Sequence, residues 1–285
     1  MSERVVICPN PYRDEEFHQT IEIYHALCQA GIFSEVYPLF MAPTTPRIQR
    51  LAAQVPLTEE LAPAELLIAI GGDGTVLHLA RKSVEDQIPV IGVNFGDKGF
   101  LAELDGTDME SLVAASQGKF WISHRMMLDV KLLRDNHVVY EDTALNDVVL
   151  KSVHNCITVT TKIRGQVANR FSGDGIIVAT PTGSTGYSLS AGGPIVEPEA
   201  QNMIVTPLSA HLLSARPFVV SPKRELEITA DRLRGRPTVI SVDGNDAIDF
   251  YSGDVLIVRR SSHETLIADM RLRPFYERML DILSR

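Results

Sequence analysis

Cysteine is scarce in this chain of 285 residues, which holds Cys8, Cys28 and Cys156 and no others. Odd in number, widely spaced and without a CxxC pair, they make neither a disulfide framework nor a zinc site. They are expected as buried thiols in a reducing compartment. Long apolar runs are missing as well. No stretch approaches the roughly 20 residues that span a bilayer, and the first residues lack the apolar core of a secretion signal. The expected location is therefore cytoplasmic, with no membrane partner. Nor is there an excess of positive charge: 27 Lys and Arg stand against 36 Asp and Glu, a formal net charge of −9. That balance disfavours nucleic acid as a partner, although an acidic total can hide a local basic pocket. No internal repeat or low-complexity tract interrupts the chain.

What is present is material for one large or two medium cores, with 45% hydrophobic residues. Residues 5–8 read as a buried strand, and a helix follows in which Phe17, Ile21, Tyr24 and Cys28 share a face and Gly31 supplies the stop. Strands are predicted at 34–39, 66–70 and 89–93, with a short helix at 47–54. Strands separated by helices indicate an α/β layer with a parallel sheet. The character changes around 118–123. From Met126 onward, short segments rich in Val, Ile, Leu and Thr recur with turns between them, at 128–133, 138–141, 144–150, 157–163, 166–171 and 175–179. Others follow at 218–220, 225–229, 238–242 and 254–259. Strands without helical spacers predict a mainly antiparallel β domain. A last amphipathic segment, 274–283, reads as a helix.

The chain is organised around residues 66–81. An apolar strand breaks into Gly71-Gly72-Asp73-Gly74-Thr75, and a helical stripe resumes at Val76. The glycines let the backbone approach a ligand, and the free amides of the following helix point at the turn, which makes a place to hold phosphate. Asp73 has two readings: a helix N-cap, or a general base aimed at a hydroxyl of whatever lies over the turn. Asn94-Phe95-Gly96-Asp97-Lys98-Gly99-Phe100-Leu101 is a second glycine-rich turn at the same sheet edge, where such sheets gather ligands. The densest stretch is 172–194, where a strand runs into Thr180-Pro181-Thr182-Gly183-Ser184-Thr185-Gly186-Tyr187-Ser188-Leu189-Ser190. Its small residues build no core; its amides and hydroxyls can meet a ligand, and Tyr187 offers a ring for stacking. Asn146-Asp147 reads as a turn or strand end. Asp243-Gly244-Asn245 by itself is a hairpin turn.

Gly71-Gly72-Asp73-Gly74-Thr75 resembles the signature shared by NAD kinases, diacylglycerol-type lipid kinases and, more loosely, 6-phosphofructokinases. The run Gly92, Asn94, Gly96, Gly99, Phe100 and Leu101 and the stretch Thr180 to Pro194 resemble NAD kinases specifically, and the three motifs stand in that family's order. Pro207-Leu208-Ser209-Ala210-His211 and Ala215-Arg216-Pro217 fall in its Pro-x-x-x-His and Arg-Pro region, with His211 read as structural. Three positions depart from the pattern. Asp147 stands where Glu is usual and reaches about 1.5 Å less far; Asn245 replaces Gln, and Gly186 replaces Ala.

The resemblance implies a two-domain NAD kinase-like fold: an α/β domain over 1–122, a β-rich dinucleotide-binding domain over 123–260, and a tail, 261–285, returning to the first. It implies phosphorylation of the 2′-hydroxyl of the adenosine ribose of NAD by ATP or another donor, giving NADP, with a divalent ion, Mg²⁺, on the donor's phosphates. Asp73 is then the base, and Gly71, Gly72, Gly74 and Thr75 hold phosphate. NAD falls to Asp73, Gly74, His78, Asn146, Asp147, Asp174, Thr182, Thr185, Gly186, Tyr187, Ser188, Leu189, Ser190, Ser209 and Asn245. A homodimer or homotetramer assembled through the β domain is implied too. The rival readings are a diacylglycerol-type lipid kinase, which leaves residues 183–187 unexplained, and a non-catalytic dinucleotide sensor.

Overall fold

The computed structural model describes residues 4–42, 44–96, 99–153, 156–210, 215–233, 235 and 237–284, so His211, Asp97 and Lys98 lie outside the described residues. The chain divides into two compact units, Met1–His124 with Thr265–Arg285, and Arg125–Glu264.

The first unit runs β1 (Arg4–Pro9), α1 (His18–Gln29), β2 (Phe33–Val36), α2 (Pro46–Ala52), β3 (Leu66–Ile70), α3 (Asp73–Lys82), β4 (Val90–Asn94), β5 (Leu104–Asp105) and α4 (Met109–Ser116). All its strands pair in parallel, β2 with β1, β1 with β3, β3 with β4 and β4 with β5. The order 2-1-3-4 reverses between β1 and β3. A crevice opens at such a reversal, beyond the carboxyl ends of the strands, and here those ends are Asn10 and Gly71. The buried runs of β1 and β3, from Val5 to Ile7 and from Leu66 to Ile70, fit strands covered on both faces.

Helix α1 starts where Asp14 accepts the amides of Gln19 and Thr20, at 3.1 and 2.9 Å. It stops at Gly31, whose φ of +76° suits glycine. Its buried residues are Thr20, Ile23 and Leu27, and Ile21 and Tyr24 of the predicted face pack half-buried against the same core, beside the buried Phe17 that precedes the helix. Cys28, predicted on that face, is exposed, Cys156 is half-buried and Cys8 is a buried thiol. The second strand is shorter than predicted, ending at Val36. Helix α4, capped by the Asp108 carboxylate on the Ser111 amide at 3.0 Å, was not legible in the sequence pattern.

The second unit holds β6 (Trp121–Arg134), β7 (His137–Ala144), β8 (Asp147–Ser152), β9 (Ile157–Ile163), β10 (Gln166–Gly173), β11 (Gly175–Ala179), α5 (Tyr187–Ser190), β12 (Met203–Leu208), β13 (Phe218–Val220), β14 (Glu225–Asp231), β15 (Thr238–Val242), β16 (Ile248–Asp249) and the first part of β17 (Val255–Asp269). Strands β6 and β17 continue into the first unit, β17 ending beside β4 at the Ile267–Val90 pair, and α6 (Phe275–Leu283) follows. One sheet has the order β13-β12-β11-β8-β15-β16. A second set pairs β10, β9, β14 and β17, all antiparallel. Val148, Leu150, Ile176 and Val178 of the first sheet and Val159, Leu226, Ile228 and Val258 of the second belong to one buried cluster, so the sheets pack face to face. The fold is thus an α/β unit with a parallel sheet and a mainly antiparallel β unit, as the sequence predicts. Strand β12 escaped prediction, because Pro207 reads as a breaker within it.

Gly92 shows how tightly the α/β unit closes near the turns. A Cβ there would sit 2.6 Å from Val76 Cγ2 and 2.7 Å from Ala102 Cα. Overpacking of this kind costs about 1–3 kcal/mol. Gly92→Ala is expected to lose that much stability in urea unfolding; an unchanged midpoint would contradict the described packing of α3 and the 99–104 segment on β4.

Candidate active site

In the α/β unit the first glycine-rich turn leads directly into α3. Gly72 occupies the N-cap position without a side chain to offer, and Asp73 is the first helical residue. The capping reading of Asp73 is therefore corrected: its carboxylate turns away from its own helix toward the second glycine-rich turn. Oδ2 accepts the Phe100 amide at 2.8 Å, and Oδ1 accepts those of Leu101 and Ala102 at 3.0 and 3.1 Å. Three successive amides closing on one anion form a nest. Gly99 has to be glycine for that approach, since a Cβ there would lie 2.0 Å from Asp73 Oδ1.

The first turn is supported from below. Asn10 Nδ2 donates to Thr75 Oγ1 at 2.9 Å, and Thr75 is buried. At Gly71, φ is +151° and a Cβ would meet Thr75 Oγ1 at 2.4 Å. The Thr75 side chain thus serves the turn, while at Gly72 and Gly74 an added Cβ would enter open space, so their backbone is accessible there. His78 packs on the Phe40 ring, centroids 4.5 Å apart; burial, then Lys82 and Arg81, lowers its pKa.

In the β unit Asn146 and Asp147 stand where β7 gives way to β8. Their backbone is gripped by Asp243, whose Oδ2 accepts the Leu145 amide at 2.8 Å and whose Oδ1 accepts those of Asn146 and Asp147 at 2.7 and 2.9 Å. Asp147 is itself buried, and its carboxyl is pushed up to about 7, by burial first and then by the Asp243 charge. Thr180 ties the next turn to this one: its hydroxyl donates to Leu145 O at 2.5 Å and accepts the Gly183 amide at 3.0 Å. Gly183 presses on the same backbone, with no room for a Cβ 2.1 Å from Asn146 O.

The motif of 182–190 sorts into two sides. Ser184 binds Val196 through both its amide and its carbonyl, and Ser188 pairs with Thr206 at 2.9 Å, so both face inward. Thr185 donates to Thr182 O at 3.2 Å. Leu189 and Gly186 are half-buried, and Tyr187 and Ser190 are exposed. Tyr187, Asp174 and Ser209 come together with Lys151 and Ser152 around a cavity of about 420 Å³. Asn146 Oδ1 and Thr182 Oγ1 are buried with no hydrogen-bond partner among the described residues. Asn245 lies in the exposed hairpin after β15, its amide bonded to Val242 O at 3.0 Å. Sequence reasoning missed Asp243 and Lys151 as site residues. The hairpin reading of Asp243 concealed its long-range bonds, and nothing in the sequence pointed to Lys151.

Asp147 sets a pH dependence. Its folded pKa of about 7 lies above the ordinary 3.8, so the folded chain holds a proton that the unfolded chain releases. That contribution is fully present below about pH 4 and is lost as pH rises through about 7. Asp147→Asn removes the dependence, so its stability relative to the parent should rise by about 3 kcal/mol between pH 5 and pH 8. Denaturant unfolding of both proteins at the two pH values measures it; an identical difference at both would contradict the buried carboxyl.

The chain is similar to known proteins along most of its length. Residues 5–116 match the family model described as the ATP-NAD kinase N-terminal domain, and 145–270 match that of the ATP-NAD kinase C-terminal domain. The NAD kinase of Acetivibrio thermocellus is 39% identical over 201 residues, 70% of each chain. That of Natranaerobius thermophilus is 38% identical over 224 residues, 78% of each. Among solved structures, a yeast NADH kinase complexed with NADH has a TM-score of 0.82 at 24% identity, covering 99% of this chain and 87% of that one. An Archaeoglobus fulgidus NAD kinase in complex with ATP has a TM-score of 0.73 at 24% identity, covering 99% and 97%. With both turns, the Asn146-Asp147 corner and the 180–194 stretch built as described, and with both family models matched, the chain belongs to the NAD kinase family.

Proposed function

We propose that the chain transfers the γ-phosphoryl group of ATP to the 2′-hydroxyl of the adenosine ribose of NAD, giving NADP and ADP. The observation that carries this reading is the Asp73 carboxylate, fixed at the start of α3 beside open glycine backbone. A ribose hydroxyl is not ionised at neutral pH. As its oxygen bonds to phosphorus and the bond to ADP breaks, a base must take the hydroxyl proton, and Asp73 fills that role. The N-terminal amides and dipole of α3 favour the donor's negative charge. We assign phosphate to the backbone of Gly71, Gly72 and Gly74, with Thr75 as their support.

NAD we assign to the β unit's corner and cavity: Asn146, Asp147, Asp174, Thr185, Gly186, Tyr187, Ser190 and Ser209, with Thr182, Ser188 and Leu189 shaping the turn. The unpartnered Asn146 and Thr182 oxygens support this, as does the cavity lined by Asp174, Tyr187 and Ser209. His78 and Asn245 remain at the edge of the assignment, the first packed on Phe40 and the second exposed. The division into 1–122, 123–260 and a returning tail, 261–285, belongs to the same reading and is supported by the two compact units.

A dedicated protein cage for Mg²⁺ does not fit this chain, because no group of three or more His, Cys, Asp and Glu lies together among the described residues. We assign the ion to the donor's phosphates, and no step here passes through it. Assembly as a homodimer or homotetramer through the β unit is supported by Val138, Val139 and Val167, exposed on its strands. A cytoplasmic location is in keeping with the absence, among the described residues, of any helix long and apolar enough to cross a membrane.

Two measurements test the reading. Purified protein with ATP and Mg²⁺ is expected to make NADP from NAD and no phosphatidic acid from diacylglycerol; the reverse would overturn the acceptor. Asp73→Asn keeps one acceptor oxygen and loses the base. Its turnover at saturating NAD should fall about 10²- to 10⁴-fold, with a stability loss of about 1–3 kcal/mol from the amide left facing a donor. Near-parental turnover in the folded variant would return Asp73 to a purely structural role.

A further inference from the structure

The three amides that hold Asp73 sit on a segment that meets the C-terminal tail at two points. At one end the Phe100 ring meets the Phe275 ring, centroids 6.4 Å apart and tilted by 44°. At the other end the Glu103 carboxylate accepts the Met270 amide through Oε2 at 2.9 Å. Phe100, Leu101 and Ala102, the donors to Asp73, lie between them or at their edge. The tail itself is braced: Phe275 makes an edge contact with Tyr276, and Arg273 pairs with Glu277 and Asp281 across the first turns of α6.

On its far side the segment is held by the α/β core, where Leu101 and Ala102 are buried and Leu104 pairs with Val93 of β4, whereas Phe100 is half-buried. The segment's own regular structure is confined to the two-residue β5, and Gly99 brings no side chain to hold it. A carboxylate whose oxygens are all committed to three amides follows those amides when they move. We propose that the C-terminal tail orients the catalytic base, with Phe275 as a positioning residue that acts through Phe100 and the 100–102 amides on Asp73. The proposal rests on the assignment of Asp73 as base. A side chain more than 200 positions along the chain from Asp73, without chemistry of its own, then controls the rate.

Displacing a base by about 1 Å can cost on the order of 10²-fold in rate. Phe275→Ala should therefore lower kcat by about 10- to 100-fold, with the KM for NAD within about threefold of the parent, because the β-unit residues assigned to NAD are untouched. A role confined to stability would move the melting temperature and leave kcat per folded molecule alone. The decisive readout is a double-mutant cycle with Asp73→Asn. If Phe275 acts through Asp73, Phe275→Ala costs little further once the base is gone, and the two effects fail to add. Additive losses, or parental kcat in Phe275→Ala, would overturn the proposal. Where Phe275→Ala does not fold, Phe275→Leu keeps apolar volume and removes the ring contact; an intermediate fall in kcat that vanishes in the Asp73→Asn background supports the proposal, and parental kcat overturns it. Failure of the base assignment reads differently, since Asp73→Asn alone would then keep its turnover.

Discussion

The structure depends on a carboxylate that reaches out of its own helix to grip a neighbouring turn. Asp73 begins α3, yet its oxygens accept the amides of Phe100, Leu101 and Ala102. That single contact joins the two glycine-rich turns into one wall and explains several residues at once. Gly99 is small because the carboxylate lies against it, and Gly92 is small because α3 and Ala102 close over it. The reversal of strand order between β1 and β3 supplies the crevice, and Asn10 at the end of β1 props the turn through Thr75.

The β unit uses the same device. Asp243 accepts the amides of Leu145, Asn146 and Asp147, one on Oδ2 and two on Oδ1, the pattern that Asp73 shows toward 100–102. In both places an anion organises three consecutive N–H groups that would otherwise lack partners in irregular backbone. The consequences differ. Asp73 accepts its three amides beside the open backbone of Gly72 and Gly74. Asp243 is spent on structure, and the carboxyl next to it, Asp147, is raised toward neutrality by burial and by that neighbour.

The parts of the fold written in local pattern were legible: the buried parallel strands, the stop at Gly31, and the succession of short strands after Met126. The motifs were legible as motifs. What sequence alone did not disclose were pairings made at long range. Asp73 looked like a cap because an Asp before a helical stripe usually is one, and the competing partner lies 27 residues away. Asp243 looked like a hairpin residue because its turn is one, while its partners stand 96 to 98 residues earlier. Helix α1 packs its predicted Ile21 and Tyr24 against the core beside Thr20, Ile23 and Leu27, and only Cys28 of the predicted helical face is exposed. Within 180–190, hydroxyls of one chemical kind divide into inward and outward by tertiary contact, Ser188 against Thr206 and Ser190 exposed.

The central claim is that turnover depends on where the loop holds Asp73. Gly99→Ala tests it most directly, because the atom that must yield to the new Cβ, 2.0 Å away, is the Asp73 carboxylate itself. A side chain can move where backbone cannot, so the fold should survive. Measured as NADP formation beside NAD affinity and a thermal melt, Gly99→Ala is expected to lose about 10²-fold or more in kcat while still folding and binding NAD, with a stability loss of about 1–3 kcal/mol from the amides it leaves short of the carboxylate. Parental kcat in a folded Gly99→Ala would contradict the account.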